Sequence, residues 1–301
     1  MSDYIATVHD DPVLHTIRMV GMLANAAIAA HGKAVIGVSG GSHPANVAAA
    51  LRTCSPEDIE VLQADKWVIV LVDERCVPLD HEDSTYRAWM DEVFKPGLLS
   101  TPHSAIYPID PDLDSPCAMA RDYAATVSTL CPSVAGGVPV LDVVWCGIGP
   151  DGHTASLFPG HDLVTSAGVH VLTRGEATGG STGASEEALV VQHIEDSPKP
   201  PPTRVTLSLA TLNAARSAVF LVQGASKADA VAAAANSILA VQRGEPMPAD
   251  TLPCARVWPG RLGTPSNQRP AKLDAQDAPR LRWVLDAPAA SAAPAGWLSV
   301  L

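Results

Sequence analysis

Aromatic side chains are scarce in this sequence: Phe, Trp and Tyr make up only 4% of its 301 residues. A core built from it has to rest mainly on Ala, Val, Leu and Ile, which the overall apolar content of 47% allows. Charge is sparse too, at 17%, and one-sided, with a net charge of −12. A chain of that sign offers no basic face for nucleic acid. It can still bind a small anion, because a few placed cations dominate one site. Paired cysteines are missing. Cys54, Cys76, Cys117, Cys131, Cys146 and Cys254 form no C-x-x-C pair and no metal-ligand spacing. Buried free thiols in a reducing, cytoplasmic compartment are the expectation, with no metal site. The most apolar early stretch, residues 19–30, is too short to span a bilayer and reads as a core-facing helix. Residues 1–12 lack the basic-then-apolar layout of a secretory signal. No membrane association is expected.

What is present is an alternation of short apolar runs, glycine turns and Ala-rich helical stretches. Asp10 or Asp11 can cap a helix with Pro12 in its first turn, ending at His31-Gly32. Residues 34–39, 67–73 and 141–148 read as buried strands. Glycine turns follow the first and third of them, leading into helices over 45–51 and near Thr154. Residues 205–209 and 218–223 read as further strands, 212–216 as a short helix and 226–241 as a long one. The order strand, turn, helix implies an α/β fold whose mostly parallel sheet is covered on both faces. The length fits one large domain or two small ones, and a single domain over residues 1–301 is the expectation. Ligands in such folds bind beyond the carboxyl ends of strands. Residues 173–185, rich in Gly, Thr and Ser, read as an exposed loop. Residues 254–279 read as irregular, and the Ala/Pro-rich tail after Asp286 as prone to fray.

Five segments carry candidate chemistry. Gly37-Val38-Ser39-Gly40-Gly41 fits G-x-S-x-G, which would make Ser39 a nucleophile. However, only one helix precedes its strand, too early for a hydrolase elbow. The alternative is a turn whose Gly40, Gly41 and Ser42 groups hold a phosphate at a helix N-terminus; a purely structural turn is a third reading. Asp73-Glu74-Arg75 emerges at a strand end, either as a solvated loop or as a site where Arg75 meets an anion and Asp73 orients a polar group. Asp151-Gly152-His153 sits in a glycine turn. There a helix N-terminus would keep His153 neutral, as suits a general base, and Asp151 could orient the ring. Ser226 and Asp229 fit a capping box around Lys227, a cation whose conflict with the helix dipole a bound phosphate would relieve. The proline-stiffened stretch Ser197-Pro-Lys-Pro-Pro-Pro-Thr-Arg204 is either a surface linker or a source of another cation, Lys199 or Arg204.

Taken in order, Gly40-Gly41-Ser42, Val-Asp-Glu-Arg at 72–75, Gly-Ile-Gly-Pro-Asp-Gly-His at 147–153, Ser-Pro-Lys-Pro-Pro-Pro-Thr-Arg-Val-Thr at 197–206 and Gly-Ala-Ser-Lys-Ala-Asp at 224–229 resemble the 6-phosphogluconolactonase family. Arg282-Trp-Val-Leu-Asp286 looks like that family's last strand. The resemblance implies a three-layer α/β/α sandwich similar to glucosamine-6-phosphate deaminase. It implies hydrolysis of a sugar-phosphate lactone without metal or cofactor, by a monomer or small homo-oligomer. It makes His153 the base that activates water, with Asp73, Arg75 and Asp151 beside it. Gly40, Gly41, Ser42, Gly152, Arg204 and Lys227 become substrate-binding residues. The sequence departs from the pattern at His43, where a small residue is common, at Cys76, often aromatic, and at Thr85, which replaces a frequent Asn.

Overall fold

The computed structural model describes residues 4–131, 138–164, 190–259 and 280–299. Residues 173–185, and residues 260–279 of the segment expected to be irregular, lie outside them. Seven strands, β1 (Tyr4–Val8), β2 (Ala34–Val38), β3 (Trp67–Leu71), β5 (Ile106–Tyr107), β6 (Val143–Cys146), β9 (Ser217–Val222) and β10 (Leu281–Leu285), pair in the order β1-β10-β9-β6-β2-β3-β5. Every pairing is parallel. Strands β2, β6, β9 and β10 are buried at every position. That is what a parallel sheet covered by helices on both faces requires, and it accounts for their unbroken apolar runs.

The 20-residue helix α1 (Pro12–His31) starts where expected, with Asp11 accepting the Leu14 N–H at 2.9 Å, and Gly32 closes it in a left-handed conformation. By length and composition alone this helix could cross a membrane. Here Val13, Ile17, Val20, Ala24 and Ile28 form its buried side, packed on β2, β6, β9 and β10. The other helices used below are α2 (His43–Leu51), α3 (Pro116–Leu130) and α4 (Ala228–Gln242).

Several expectations change. Strand β1 was not read from the sequence. It pairs with β10, and the chain's end runs along it, with Ser299 N–H donating to Ala6 O at 2.7 Å. The tail after Asp286 is therefore held rather than frayed. Asp286 caps a turn of helix at Ala287–Ala290, and Trp297 is buried against Trp283. The scarce aromatics are concentrated inside, since all six tryptophans are buried, so the core is not aliphatic alone. Within the irregular stretch, Pro253–Arg256 is a short helix.

The charged triplet after β3 is neither a strand end nor a solvated loop. Asp73–Arg75 forms β4, which pairs antiparallel with β8 (Arg204–Leu207), itself paired with β7 (Val191–Ile194) in a second, three-stranded sheet. Glu74 points inward at 1% exposure. It accepts N–H groups of Arg75, Thr85 and Tyr86 at 2.7–2.8 Å and the Ser84 hydroxyl at 3.0 Å. Burial pushes its carboxyl up and those donors resist the shift. One buried carboxylate thus anchors the loop after β4.

Candidate active site

Chain order and sheet order diverge at β2. The chain builds β3 and β5 on one side of it, then crosses back to lay β6 on the other. A crevice opens beyond the carboxyl ends of two such strands. The turn after β2 supplies Gly40, Gly41 and Ser42, and the turn after β6 supplies residues 147–150 and His153, with Asp151 and Gly152 behind the wall. Together they line a cavity of about 300 Å³. Asp73, Arg75, Lys199, Arg204, Gln223 and Lys227 complete its wall.

On the β2 side, Ser42 is the N-cap of α2, but its hydroxyl makes no capping bond. The N–H groups of Gly40, Gly41 and Ser42 find no acceptor among the described residues. Unpaired amides at a helix start, beside the positive end of its dipole, attract an anion. A side chain at Gly40 would collide with Thr85, so Thr85 rests directly on this turn. Ser39 is buried beneath it, and among the described residues no basic side chain hydrogen-bonds its Oγ to make it a nucleophile.

On the β6 side the turn folds the histidine back over its own backbone. Gly152 takes φ +79, and Gly149 N–H donates to His153 O at 2.8 Å. The ring lies so close to Gly149 that a β-carbon there would collide with its Cε1 and Nδ1 atoms and with Asp151 Oδ1. Nδ1 is 2.5 Å from Asp151 Oδ1. An ionised carboxylate only accepts, so Nδ1 carries the proton and Nε2 keeps its lone pair. Nε2 has no partner among the described residues. Phe158 packs on the ring with centroids 4.8 Å apart.

The helix expected near Thr154 is absent. Thr154 and Leu157 bridge across a tight turn, and Ala155 is held at φ +49. The hydroxyls on either side of it are engaged, Thr154 Oγ1 with Gly147 O at 3.0 Å and Ser156 Oγ with Asp73 Oδ2 at 2.7 Å. No helix dipole keeps His153 neutral. Burial is the largest cause holding it below the usual histidine range; Asp151 raises it, Lys199 lowers it and Asp73 raises it. For Asp151 burial acts upward, but the hydrogen bonds of His153 and the charge of Lys199 act against it, and its carboxyl lies below the usual range.

The cations fall into two pairs. Arg75 and Arg204 face each other across the β4–β8 register, while Lys199 and Lys227 stand near Asp151. Arg75 Nη1 donates to Asp83 O at 2.7 Å. Arg204 is 3% exposed. Its Nε donates to Pro201 O, its Nη2 to Lys199 O and Pro200 O, and its Nη1 to Ser156 Oγ, at 3.0–3.5 Å. A guanidinium has five N–H donors, so little of Arg204 is left for a ligand. Burial, then the nearby Arg75, lower its pKa.

Lys227 reaches the cavity without the expected capping box. Its backbone is the N-cap of α4, and no side chain caps there. A one-turn 3-10 helix, Ala225–Lys227, precedes α4, and Gly224 N–H is held by both oxygens of Asp286, at 3.1 and 2.9 Å. Burial and Lys199 lower the Lys227 ammonium, and Asp151 opposes them.

Two of the lining residues carry more weight in the structure than in the sequence. Lys199, considered only as an alternative to Arg204, has Nζ 3.1 Å from His153 Nδ1. Its place in a Ser-Pro-Lys-Pro segment beside the arginine was the available signal. His43, seen only as a departure from a pattern, is buried at the start of α2, edge-on to Trp145 at 5.0 Å, with no partner for Nε2. Burial lowers it to about 4. Among the described residues no three His, Cys, Asp or Glu side chains are grouped to hold a metal.

Residues 10–264 match the family model described as glucosamine-6-phosphate isomerases/6-phosphogluconolactonase. Human 6-phosphogluconolactonase is 35% identical over 224 residues, covering 73% of this chain and 74% of that protein. A rice relative (Oryza sativa subsp. japonica), described as probable 6-phosphogluconolactonase 3, chloroplastic, is 38% identical over 220 residues, 69% of this chain and 58% of that longer protein. Among solved structures, 6-phosphogluconolactonase from Leishmania guyanensis superposes with a TM-score of 0.63 at 23% identity, covering 97% of this chain and 99% of that one. A monomeric glucosamine-6-phosphate deaminase does so with a TM-score of 0.58 at 16% identity, covering 96% and 99%. The structural likenesses establish the shared fold, and the sequence match over most of the chain establishes the kinship: this protein belongs to the glucosamine-6-phosphate isomerase/6-phosphogluconolactonase family.

Proposed function

We propose that the protein hydrolyses 6-phospho-D-glucono-1,5-lactone to 6-phospho-D-gluconate, the second step of the oxidative pentose phosphate pathway. The observation that carries this reading is the pairing across one cavity of a neutral, carboxylate-oriented histidine with a set of free amides at a helix start. His153 suits proton transfer, and the Gly40–Ser42 amides with Lys227 suit a phosphate. The relatives named as lactonases select the substrate that joins these two features.

In this reading the phosphate docks on Gly40, Gly41 and Ser42 beside Lys227, and the lactone carbonyl is presented to a water on His153 Nε2. As the water oxygen bonds to the carbonyl carbon, Nε2 takes its proton. Asp151 receives the resulting imidazolium as an ion pair. Arg75 stands in the wall as a donor for the oxyanion, and Asp73 fixes Ser156 and the turn below. When the tetrahedral species collapses, the bond to the ring oxygen breaks and the imidazolium returns the proton to it. The new carboxylic acid then ionises. No covalent intermediate is needed, because a lactone is already an activated ester. Gly152 contributes the turn rather than a contact. Arg204, with most donors engaged, serves the site chiefly by shaping residues 199–201.

The test is lactone hydrolysis above the spontaneous rate, with lactone generated in situ by oxidation of glucose 6-phosphate. A rate equal to the uncatalysed one overturns the reading. Asp73 also faces the cavity, and a carboxylate there could abstract a C2 proton from an amino-sugar phosphate, so ammonia release from glucosamine 6-phosphate is measured alongside. A cytoplasmic compartment and a monomer or small homo-oligomer, with no nucleic acid or membrane partner, belong to the same proposal. The six free thiols and the acidic net charge support it.

A further inference from the structure

Lys199 takes no part in that reaction, yet among the described residues no other ammonium lies within hydrogen-bonding reach of the base. Its Nζ is 3.1 Å from His153 Nδ1 and 3.4 Å from each Asp151 oxygen. A flexible side chain is brought there by a stiff loop. Ser197 Oγ accepts the Lys199 N–H at 3.2 Å and donates to Lys199 O at 2.9 Å, while Ser197 N–H reaches Pro202 O at 3.0 Å. Arg204 then gathers the carbonyls of Lys199, Pro200 and Pro201 around one guanidinium. That guanidinium lies over the Phe158 ring at 5.7 Å, and Phe158 packs on His153. Loop, clamp and catalytic ring are therefore one packed unit.

With its proton given to Asp151, Nδ1 has no lone pair to offer an ammonium. The contact at 3.1 Å is held by the carboxylate, and it sets a positive charge against the ring. A carboxylate alone beside an imidazole favours imidazolium, which cannot accept a proton from water. We propose that Lys199 is a positioning residue that holds the Asp151 carboxylate in line and offsets part of its pull on His153, so that Nε2 stays a free base, and that Arg204 acts on catalysis through Lys199. The other charged groups facing the pair are Asp73, which favours imidazolium, and Lys227, which acts on Lys199 and Asp151. His43, across the cavity, is uncharged. Burial lowers His153 most; Lys199 adds to that lowering while Asp151 opposes it, a direction that agrees with the geometry. The inference rests on His153 being the base of the lactonase reading.

The test uses the full chain with labelled histidine, comparing wild type, Lys199→Met and Lys199→Arg. The His153 resonance is assigned by its loss in His153→Ala and followed by NMR through its titration, while kcat/KM is measured against pH. In Lys199→Met the ring is expected to titrate at higher pH than in wild type. Its kcat/KM should fall roughly three- to tenfold at pH 6, with less than about a twofold change at pH 8. Lys199→Arg should restore both. An unchanged titration, or an equal loss at every pH, overturns the proposal and leaves Lys199 a substrate-binding cation or a surface lysine. The titration does not need turnover. A wild type without lactonase activity but with the shifted resonance would uphold the electrostatic assignment and overturn the lactonase reading instead.

Discussion

Two histidines line the same cavity, and burial keeps both uncharged, but only one of them can accept a proton. His43 is enclosed by Trp89 and Trp145, with no acidic neighbour to receive a charge. His153 is half-buried, and Asp151 touches Nδ1 and Lys199 touches both. Burial sets the resting charge of each ring. The neighbour decides whether that charge can change during a reaction. A general base needs both conditions, neutral at rest and stabilised once protonated, and only the second turn of the cavity supplies them.

The contrast breaks most readily at the catalytic ring. His153→Ala is expected to lower kcat by about 10² to 10⁴, whereas His43→Thr should leave kcat within a few-fold of wild type in the same assay. Equal losses would mean that the two rings share the chemistry. The wild-type profile of kcat/KM, corrected for spontaneous hydrolysis, should hold at neutral pH and fall as acid protonates His153, with its midpoint below the usual histidine value.

The next effect is on stability and belongs to His43. Its folded pKa lies near 4 against an ordinary 6.5. Between those values the unfolded chain binds the proton and the folded chain refuses it, so stability falls as pH drops through that window. The full loss is about 3 kcal/mol. Urea unfolding at pH 7 and at pH 4.5 measures it. His43→Thr should flatten the difference whatever it does to stability at pH 7. If wild type and variant decline in parallel, His43 is not refusing its proton.

The same two turns show how far the sequence could be read. The turn after β6 was legible because its glycines, acid and histidine are neighbours in the chain, and local sterics alone place the ring against Gly149. Its continuation was misread as a helix, because what prevents one is distant: Asp73 takes the Ser156 hydroxyl, and Ala155 is held in a left-handed conformation that no local propensity predicts. The strand runs were legible for β2, β3, β6 and β9 of the parallel sheet, where both faces are apolar, but not for the two-residue β5. They failed for Asp73–Arg75, whose partner β8 lies over a hundred residues away and whose Glu74 is solvated by backbone donors instead of water. Strand β1 depends wholly on the chain's other end. Lys227 lines the cavity, but Asp286, not a local capping box, anchors the turn that presents it.

Lys227 also gives the smallest predicted effect. Its ammonium is partly desolvated and stands near Lys199 with only Asp151 to offset the two charges, so an anion between the lysines and the Gly40–Ser42 amides would relieve a standing repulsion. A charge-assisted hydrogen bond of this kind is worth about 1.5–3 kcal/mol, or roughly a ten- to hundredfold change in affinity. The phosphate does not react, so it is bound equally in ground and transition states, and such uniform binding appears in KM. Lys227→Ala should therefore raise KM by that factor with kcat nearly unchanged, the reverse of His153→Ala. If kcat falls instead and KM holds, Lys227 contacts the reacting end of the substrate. The phosphate would then have to lie toward Arg75 and Arg204, and the two cation pairs would exchange their roles.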